Sequence, residues 1–197
     1  MAWFATVRFV LALLLLLSGP GSVLFWFPVH PFASFWRRVG WRWAYVAGFG
    51  VYFATAVILL SLRSRLLSVD FGPSIVTAAA GLAAIAAGAW VSRRRRRYLS
   101  LRMLLGVPEL SPAQYPGTLL TEGIYARVRH PRYLEILLFS LGYALVSNYL
   151  AAYAAAAGMA LGIAILIPFE ERELLARFGR AYEDYRRRVP AIVPRPS

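Results

Sequence analysis

The chain has 197 residues, of which 59% are hydrophobic, and its formal net charge is +13 with no cysteine. This composition excludes an ordinary soluble domain, and the missing cysteines exclude disulfides, thiolate metal sites and a cysteine nucleophile. Two histidines are too few for a three-histidine metal centre, so we expect no metal and, since arginines flanking membrane segments explain the charge, no nucleic acid partner.

Apolar runs as long as a bilayer is thick recur along the chain and predict an all-α polytopic membrane bundle of about five transmembrane helices. We expect the first helix to be retained, because Arg8 is its only basic residue and no small-residue cleavage site follows. In chain order, the predicted helices are Trp3–Leu17 (continuing toward Phe27 past a Gly-Pro-Gly), Trp41–Leu62, Ser74–Val91, Tyr133–Tyr149 and Ala151–Phe169.

A run of five arginines, Arg93–Arg97, follows the third helix and is expected to be solvated at the cytoplasmic face. The same placement puts Arg37, Arg38, Arg42 and the C-terminal tail inside, and leaves Arg8, Arg63, Arg65 and Asp70 outside. We therefore expect an integral protein of a bacterial inner (plasma) membrane, with its N-terminus out and its C-terminus cytoplasmic.

The chain is predicted to have two regions, with the boundary at the start of the arginine run. Residues 1–92 hold the first three transmembrane helices, and residues 93–197 hold a catalytic region with a helical hairpin and a C-terminal amphipathic segment. Apolar residues recur at helical spacing in that tail, which predicts an interfacial amphipathic helix under the bundle that ends before Pro190. The members of its apolar face are Leu174, Leu175, Phe178, Tyr182 and Tyr185.

The hairpin between the fourth and fifth helices has only four uncharged residues at its closed end, so its two open ends should lie together at the arginine-rich face. One open end carries Arg129, His130, Pro131 and Tyr133, and the other carries Glu170, Glu171 and Glu173. Polar groups at that depth are costly and mark functional sites. Taken singly, the same residues are also compatible with lipid headgroup anchors and with surface ion pairs to Arg172 or Arg177.

Pro131 suits the first turn of a helix, whose free N–H groups favour an anionic ligand group. Glu170 and Glu171 can balance a cation on the other side. A pocket with both an anion site and an acidic site suits a zwitterionic or cationic cofactor.

Two sequence blocks in this region resemble the isoprenylcysteine carboxyl methyltransferase family, part of a wider group with phospholipid and thiol methyltransferases. The first block is LLTEGIYARVRHPRY, and the second is EERELLARFGRAYEDYRRRVP. The resemblance covers residues 116–194, about 40% of the chain.

The resemblance implies an S-adenosylmethionine-dependent methyltransferase whose cofactor lies in a cytoplasm-facing pocket under the C-terminal segment. The acceptor would be a lipophilic or small amphipathic molecule reached from the lipid bilayer, and no general base is assigned. Arg129, Glu135 and Glu171 are candidates for substrate contact or support. Carried over by motif, the cofactor contacts are Gly117, Thr118, Leu119, Leu120, Tyr125, His130, Pro131, Tyr133 and Glu170.

Two departures from the family pattern bear on the acceptor. The fifth helix, GMALGIAILIPF, has no arginine before the glutamates, which counts against a prenylcysteine substrate. Glu135 stands where the family often has glycine. It can contribute to binding a different acceptor, or pair with Arg132 or Arg102.

Two other functions remain open at this stage. Membrane reductases of the sterol-reductase type have a similar R-H-P-x-Y block with NADPH in the corresponding pocket, but they place Gly-Glu where this chain has Leu134-Glu135. The other alternative is a non-enzymatic membrane scaffold whose cofactor site has decayed.

Overall fold

A computed structural model describes residues 2–99, 103 and 105–193, and over these residues all regular structure is helical. Residues 1, 100–102, 104 and 194–197 lie outside the described part. The described α-helices are α1 (Ala2–Leu24), α2 (Ala33–Val39), α3 (Trp41–Ser61), α4 (Arg63–Leu66), α5 (Ile75–Arg95), α6 (Val107–Leu110), α7 (Pro131–Ser147), α8 (Leu150–Phe178) and α9 (Arg180–Arg188), and a short 3-10 helix spans Gly123–Ala126.

Four of these helices, α1, α3, α5 and α8, are long and apolar enough to cross a membrane. Helix α7, predicted as a further span, has 17 residues and measures about 25 Å at 1.5 Å per residue, so it is shorter than these four. It packs most closely against α5, while α1 contacts α3, α7 and α8. The prediction of an all-α integral membrane bundle is therefore confirmed.

The outer faces of the long helices are apolar. On α3, Trp43, Phe53 and Val57 are each about 60% exposed, and Ile75 and Val76 at the start of α5 are more exposed still. Such a surface would aggregate in water but is matched to lipid tails. The bundle is thus an integral membrane protein whose core lies mainly between α1, α7 and α8.

The contact between α5 and α7 is close because glycines face each other across it. A Cβ atom added at Gly81 would lie 2.7 Å from the carbonyl oxygen of Gly142 and 2.9 Å from the backbone nitrogen of Val146. Backbone atoms cannot move aside as a flexible side chain can. Small residues at this crossing therefore set the distance between the two helices.

We expect Gly81→Ala to destabilise the protein by about 1–3 kcal/mol, because the added methyl group must push the two backbones apart. Thermal unfolding in detergent would show this as a lower Tm. Gly158→Ala is the matched control, since nothing lies within 4 Å of its added Cβ atom. Equal Tm values for the two variants would contradict the close approach.

The closed end of the α7–α8 hairpin is held by a polar cluster. Asn148 has a left-handed backbone (φ 57°), and its side-chain amide donates to the carbonyl of Gly72 at 2.9 Å. Arg8, only 3% exposed, donates from Nε to the carbonyl of Ser147 at 2.9 Å and pairs with Asp70. Of the charges expected outside the membrane, Arg8 and Asp70 are therefore paired at this end, and Arg8 is buried.

The C-terminal tail differs from the single predicted helix. Helix α8 runs nine residues past the predicted Phe169, because the glutamates and arginines that follow are good helix formers. It stops at Gly179, whose φ of +54° favours glycine, and α9 continues to Arg188, before Pro190 as predicted. The aromatic face of α9 packs on protein: Tyr182 and Tyr185 cluster with Leu119 and Phe178.

Candidate functional site

The start of α7 and the charged end of α8 meet, as the hairpin predicts. The Nε atom of Arg129 donates to Oε1 of Glu171 at 3.0 Å. The imidazole of His130 lies between two carboxylates, with Nε2 3.2 Å from Glu171 Oε1 and Nδ1 3.5 Å from Glu170 Oε2. Tyr133 stacks on the His130 ring at 5.6 Å between ring centroids.

The C-terminal segment closes over this junction. The backbone N–H groups of Arg129 and His130 donate to the carbonyls of Pro190 and Ala191, both at 2.9 Å, and the Arg129 guanidinium donates to the carbonyl of Val189. The N–H groups of Tyr133 and Leu134 donate to the carbonyl of His130. The expectation of free N–H groups for an anion in the first turn of α7 is therefore wrong for Tyr133 and Leu134, because the turn itself uses them.

His130 is charged at neutral pH. Burial alone would lower its pKa, but the carboxylates of Glu170 and Glu171 act more strongly in the opposite direction and raise the pKa to about 9. The positively charged imidazole thus lies between two negatively charged glutamates.

A cavity of about 130 Å³ opens beside this junction, and most of the predicted cofactor-binding residues line it. Helix α9 forms one wall, where the hydroxyl of Tyr185 donates to the carbonyl of Tyr125 at 2.7 Å. The predicted residues that line it are Gly117, Thr118, Leu119, Leu120, Tyr125, Arg129, His130 and Glu170.

A second cavity of about 90 Å³ adjoins the first, and Tyr125, Arg129, His130 and Glu170 line both. The two remaining predicted contacts, Pro131 and Tyr133, line the second cavity. We call the two spaces the tail cavity and the inner cavity. Glu171 lines neither, and its role within the described residues is to pair with Arg129, His130 and Arg186.

Glu135 also lies away from both cavities. Its Oε2 atom is 2.7 Å from Nε of Arg95, whose side chain is buried, and the Glu135 side chain is 13% exposed. The expectation that the whole arginine run is solvated is therefore wrong at Arg95, which is 6% exposed because it points into the α5–α7 seam. Arg95 is thus a partner that the sequence did not suggest, and Arg102 lies outside the described residues.

Sequence reasoning missed three charged residues of the site. His30 and Glu109 line the inner cavity as a pair, with Nδ1 and Oε2 2.8 Å apart. Arg177 lines the tail cavity next to Phe178, with its guanidinium 4.7 Å from the ring centroid. His30 is one of only two histidines in the chain, and that rarity was the available clue.

Comparison with known proteins shows which proteins the sequence is similar to. The sequence model of a family described as phospholipid methyltransferase matches residues 76–181, more than half of the chain. Protein-S-isoprenylcysteine O-methyltransferase B of Arabidopsis thaliana is 42% identical over 77 residues, which are 39% of each chain. Methanethiol S-methyltransferase 2 of Bradyrhizobium diazoefficiens is 47% identical over 73 residues, 36% of this chain and 27% of the relative.

A third relative, protein-S-isoprenylcysteine O-methyltransferase of Schizosaccharomyces pombe, is 36% identical over 77 residues, 39% of this chain and 33% of that protein. The similarity thus spans well under half the length of these curated relatives. No solved structure matches the chain. With the family match covering more than half of the sequence, the chain belongs to the phospholipid methyltransferase family.

Proposed function

We propose that this protein is an integral membrane methyltransferase that uses S-adenosylmethionine and acts on a lipophilic or small amphipathic acceptor. The observation that carries the proposal is the convergence of the two sequence blocks around one cavity. Residues 117–120 and 125, the start of α7, the end of α8 and the face of α9 all line the tail cavity. Family membership and the methyltransferase names of three relatives support it.

The tail cavity fits a zwitterionic cofactor. Two oppositely charged side chains that line the cavity have buried atoms with no hydrogen bond within the described residues. These atoms are Oε2 of the negatively charged Glu170 and Nε and Nη1 of the positively charged Arg177. The nearest carboxylate oxygen to Arg177 Nη1 is Glu173 Oε2 at 3.9 Å. Glu170 is placed to face a sulfonium and Arg177 a carboxylate, while leucines 119, 120 and 174 offer an apolar surface for the nucleoside.

The aromatic rings add to the attraction for a cation. Tyr125, Tyr182 and Tyr185 line the same cavity, and ring faces attract cations in a site shielded from water. When bound, the cofactor would supply an electrophilic methyl group. The contribution of this chain is to position two substrates and to exclude water through the tail that closes over Arg129 and His130.

The site contacts named from the motifs are part of this proposal, with Arg177 added. We also propose a role for each of the two regions of the chain. Residues 1–92 anchor the protein in the membrane, and residues 93–197 form the cofactor site. We also propose a bacterial inner membrane location with the N-terminus out. The arginines of α2, the end of α5 and α9 support this orientation, since they lie at the cavity end of the bundle.

Calorimetric titration of detergent-purified protein with S-adenosylmethionine, S-adenosylhomocysteine and NADPH tests the function. We expect saturable binding of the first two and none of NADPH. Binding of NADPH alone would move the protein to the reductase class. If folded protein bound none of the three ligands, the result would favour a non-enzymatic membrane scaffold.

A further inference from the structure

A cleft of about 380 Å³ lies beside the end of α5, apart from the tail cavity and the inner cavity. Its walls come from α5, the turn that follows it, and the segment around the 3-10 helix Gly123–Ala126. The described residues that line it are absent from the linings of the other two cavities. We call this space the arginine cleft, and its main lining residues are Trp90, Arg94, Arg97, Tyr98, Gly123 and Arg127.

The charge of the arginine cleft is positive throughout its described lining. Arg94 and Arg97 belong to the arginine run, whereas Arg127 precedes α7, and all three residues are exposed. Within the part of the chain that the structure describes, no carboxylate forms an ion pair with any of them. Glu122 is next to Gly123 in the chain but does not line the cleft. Three positive charges from two segments therefore converge on one space, where they attract an anion.

The neighbouring cleft shows by contrast what distinguishes this one. It is larger, about 570 Å³, and it shares Arg97 with the arginine cleft. Its lining also includes Arg93, Arg96 and the carboxylate-bearing Glu135. A carboxylate repels an anion, so of these two clefts the arginine cleft is the better suited to a negatively charged ligand.

An exposed tryptophan relates the arginine cleft to the membrane surface. Trp90 lies one turn before Arg94 on α5, a helix long and apolar enough to cross a membrane. Its side chain is 51% exposed, and the Arg94 guanidinium lies over the ring at 5.4 Å from the centroid. Tryptophan is typical of the membrane interface, and an arginine one turn farther out reaches the level of the lipid headgroups. The arginine cleft therefore opens where lipid phosphates lie.

Close packing holds the two charged segments of the cleft together. Gly123 has a φ of +59°, and a Cβ atom added there would lie 2.6 Å from Cε2 of Tyr98. The Tyr98 ring also contacts Tyr125 edge-on, with centroids 6.3 Å apart. The glycine thus lets the Tyr98 ring pack directly on the 3-10 helix, so that Arg127 stays beside the end of α5.

We propose that the arginine cleft binds the phosphate group of an anionic phospholipid. Guanidinium groups match phosphate oxygens with paired, charge-assisted hydrogen bonds, and basic pockets at the membrane surface bind anionic headgroups. The exposed ring of Trp90 favours a lipid over a water-soluble phosphate, because it offers an apolar surface to the start of the acyl chains. The bound lipid is not a methyl acceptor, since the cleft is separate from both cavities.

Native mass spectrometry of detergent-purified protein tests this inference with two lipids that have identical acyl chains. Phosphatidylglycerol has a net negative charge and no amine, whereas phosphatidylcholine is neutral overall. We expect one phosphatidylglycerol to bind at least about tenfold more tightly than phosphatidylcholine, because each arginine near the surface contributes about 1 kcal/mol toward an anionic headgroup. Equal affinity for the two lipids would overturn the proposal.

Two single variants remove the same charge from the same end of the bundle. Arg127→Gln removes an arginine of the cleft, whereas Arg93→Gln removes an exposed arginine that lines only the neighbouring cleft. We expect Arg127→Gln to weaken phosphatidylglycerol binding about fivefold to tenfold and Arg93→Gln less than about twofold. Both exposed substitutions should leave the Tm in detergent unchanged. Equal losses in the two variants would mean that binding follows net charge, and would overturn the arginine cleft as the site.

A competition experiment distinguishes a lipid from a water-soluble phosphate. Glycerol 3-phosphate has the phosphate group without the acyl chains, and we expect it to leave bound phosphatidylglycerol in place at equal concentration. Displacement at equal concentration would assign the cleft to a soluble phosphate compound and overturn the lipid proposal. These measurements use no S-adenosylmethionine, so their failure would not affect the proposed methyltransferase function, and the failure of that function would not affect the lipid site.

Discussion

Replacing Glu170 by alanine is expected to abolish saturable binding of S-adenosylmethionine while the protein keeps its fold. Glu170 lines both cavities, and its buried Oε2 makes no hydrogen bond within the described residues. A cation bound there would lose its carboxylate partner. The expected loss of affinity is at least about 100-fold, or about 3 kcal/mol, measured by calorimetry.

The experiment has matched variants within the same region of the chain. Glu170→Gln keeps the size of the side chain and isolates the charge, and should lose most of the affinity too. Glu183→Ala removes a glutamate of α9 whose side chain is 43% exposed and pairs with Arg187 at i,i+4, and this variant should bind normally. His130→Ala should behave as Glu170→Ala does, because His130 holds Glu170 and Glu171 in place. Wild-type affinity in folded Glu170→Ala protein would refute the site assignment.

Breaking the ion pair between Arg95 and Glu135 is expected to give the largest loss of stability. The Arg95 side chain is buried at the cavity end of the α5–α7 seam, the Glu135 side chain is 13% exposed, and Nε and Oε2 are 2.7 Å apart. Arg95→Met leaves the largely covered Glu135 carboxylate without this partner, which costs about 3–5 kcal/mol in comparable buried pairs. Thermal unfolding in detergent should show a decrease in Tm on the order of 10 °C.

A double variant tests whether the loss of stability comes from the unpaired Glu135 carboxylate. Arg95→Met with Glu135→Leu should recover most of the lost Tm, since a buried ion pair replaced by apolar side chains is often nearly neutral. Arg187→Met, which breaks an exposed pair, should leave the Tm unchanged. If Arg95→Met were as mild as Arg187→Met, Arg95 would be solvated as the arginine run by itself suggests.

The sequence by itself determined the membrane helices, the hairpin and eight of the residues that line the tail cavity. These follow from local rules, because a bilayer demands long apolar runs and a short uncharged loop forces two helices to return side by side. Once the hairpin was predicted, Arg129 and His130 had to meet Glu170 and Glu171. The two motif blocks then pointed to the region where residues 117–120, Tyr125 and α9 line the tail cavity.

Only the tertiary structure decided which charges are buried and what they pair with. Arg95 differs from its four arginine neighbours solely in facing α7, and that depends on the rotation of α5, which the glycines at 81 and 142 allow. The tail likewise accepts hydrogen bonds from the backbone N–H groups of Arg129 and His130. His30 and Glu109 pair across 79 residues, a distance no local pattern encodes. Partner choice between helices depends on packing, whereas helix formation depends on the chain's own composition.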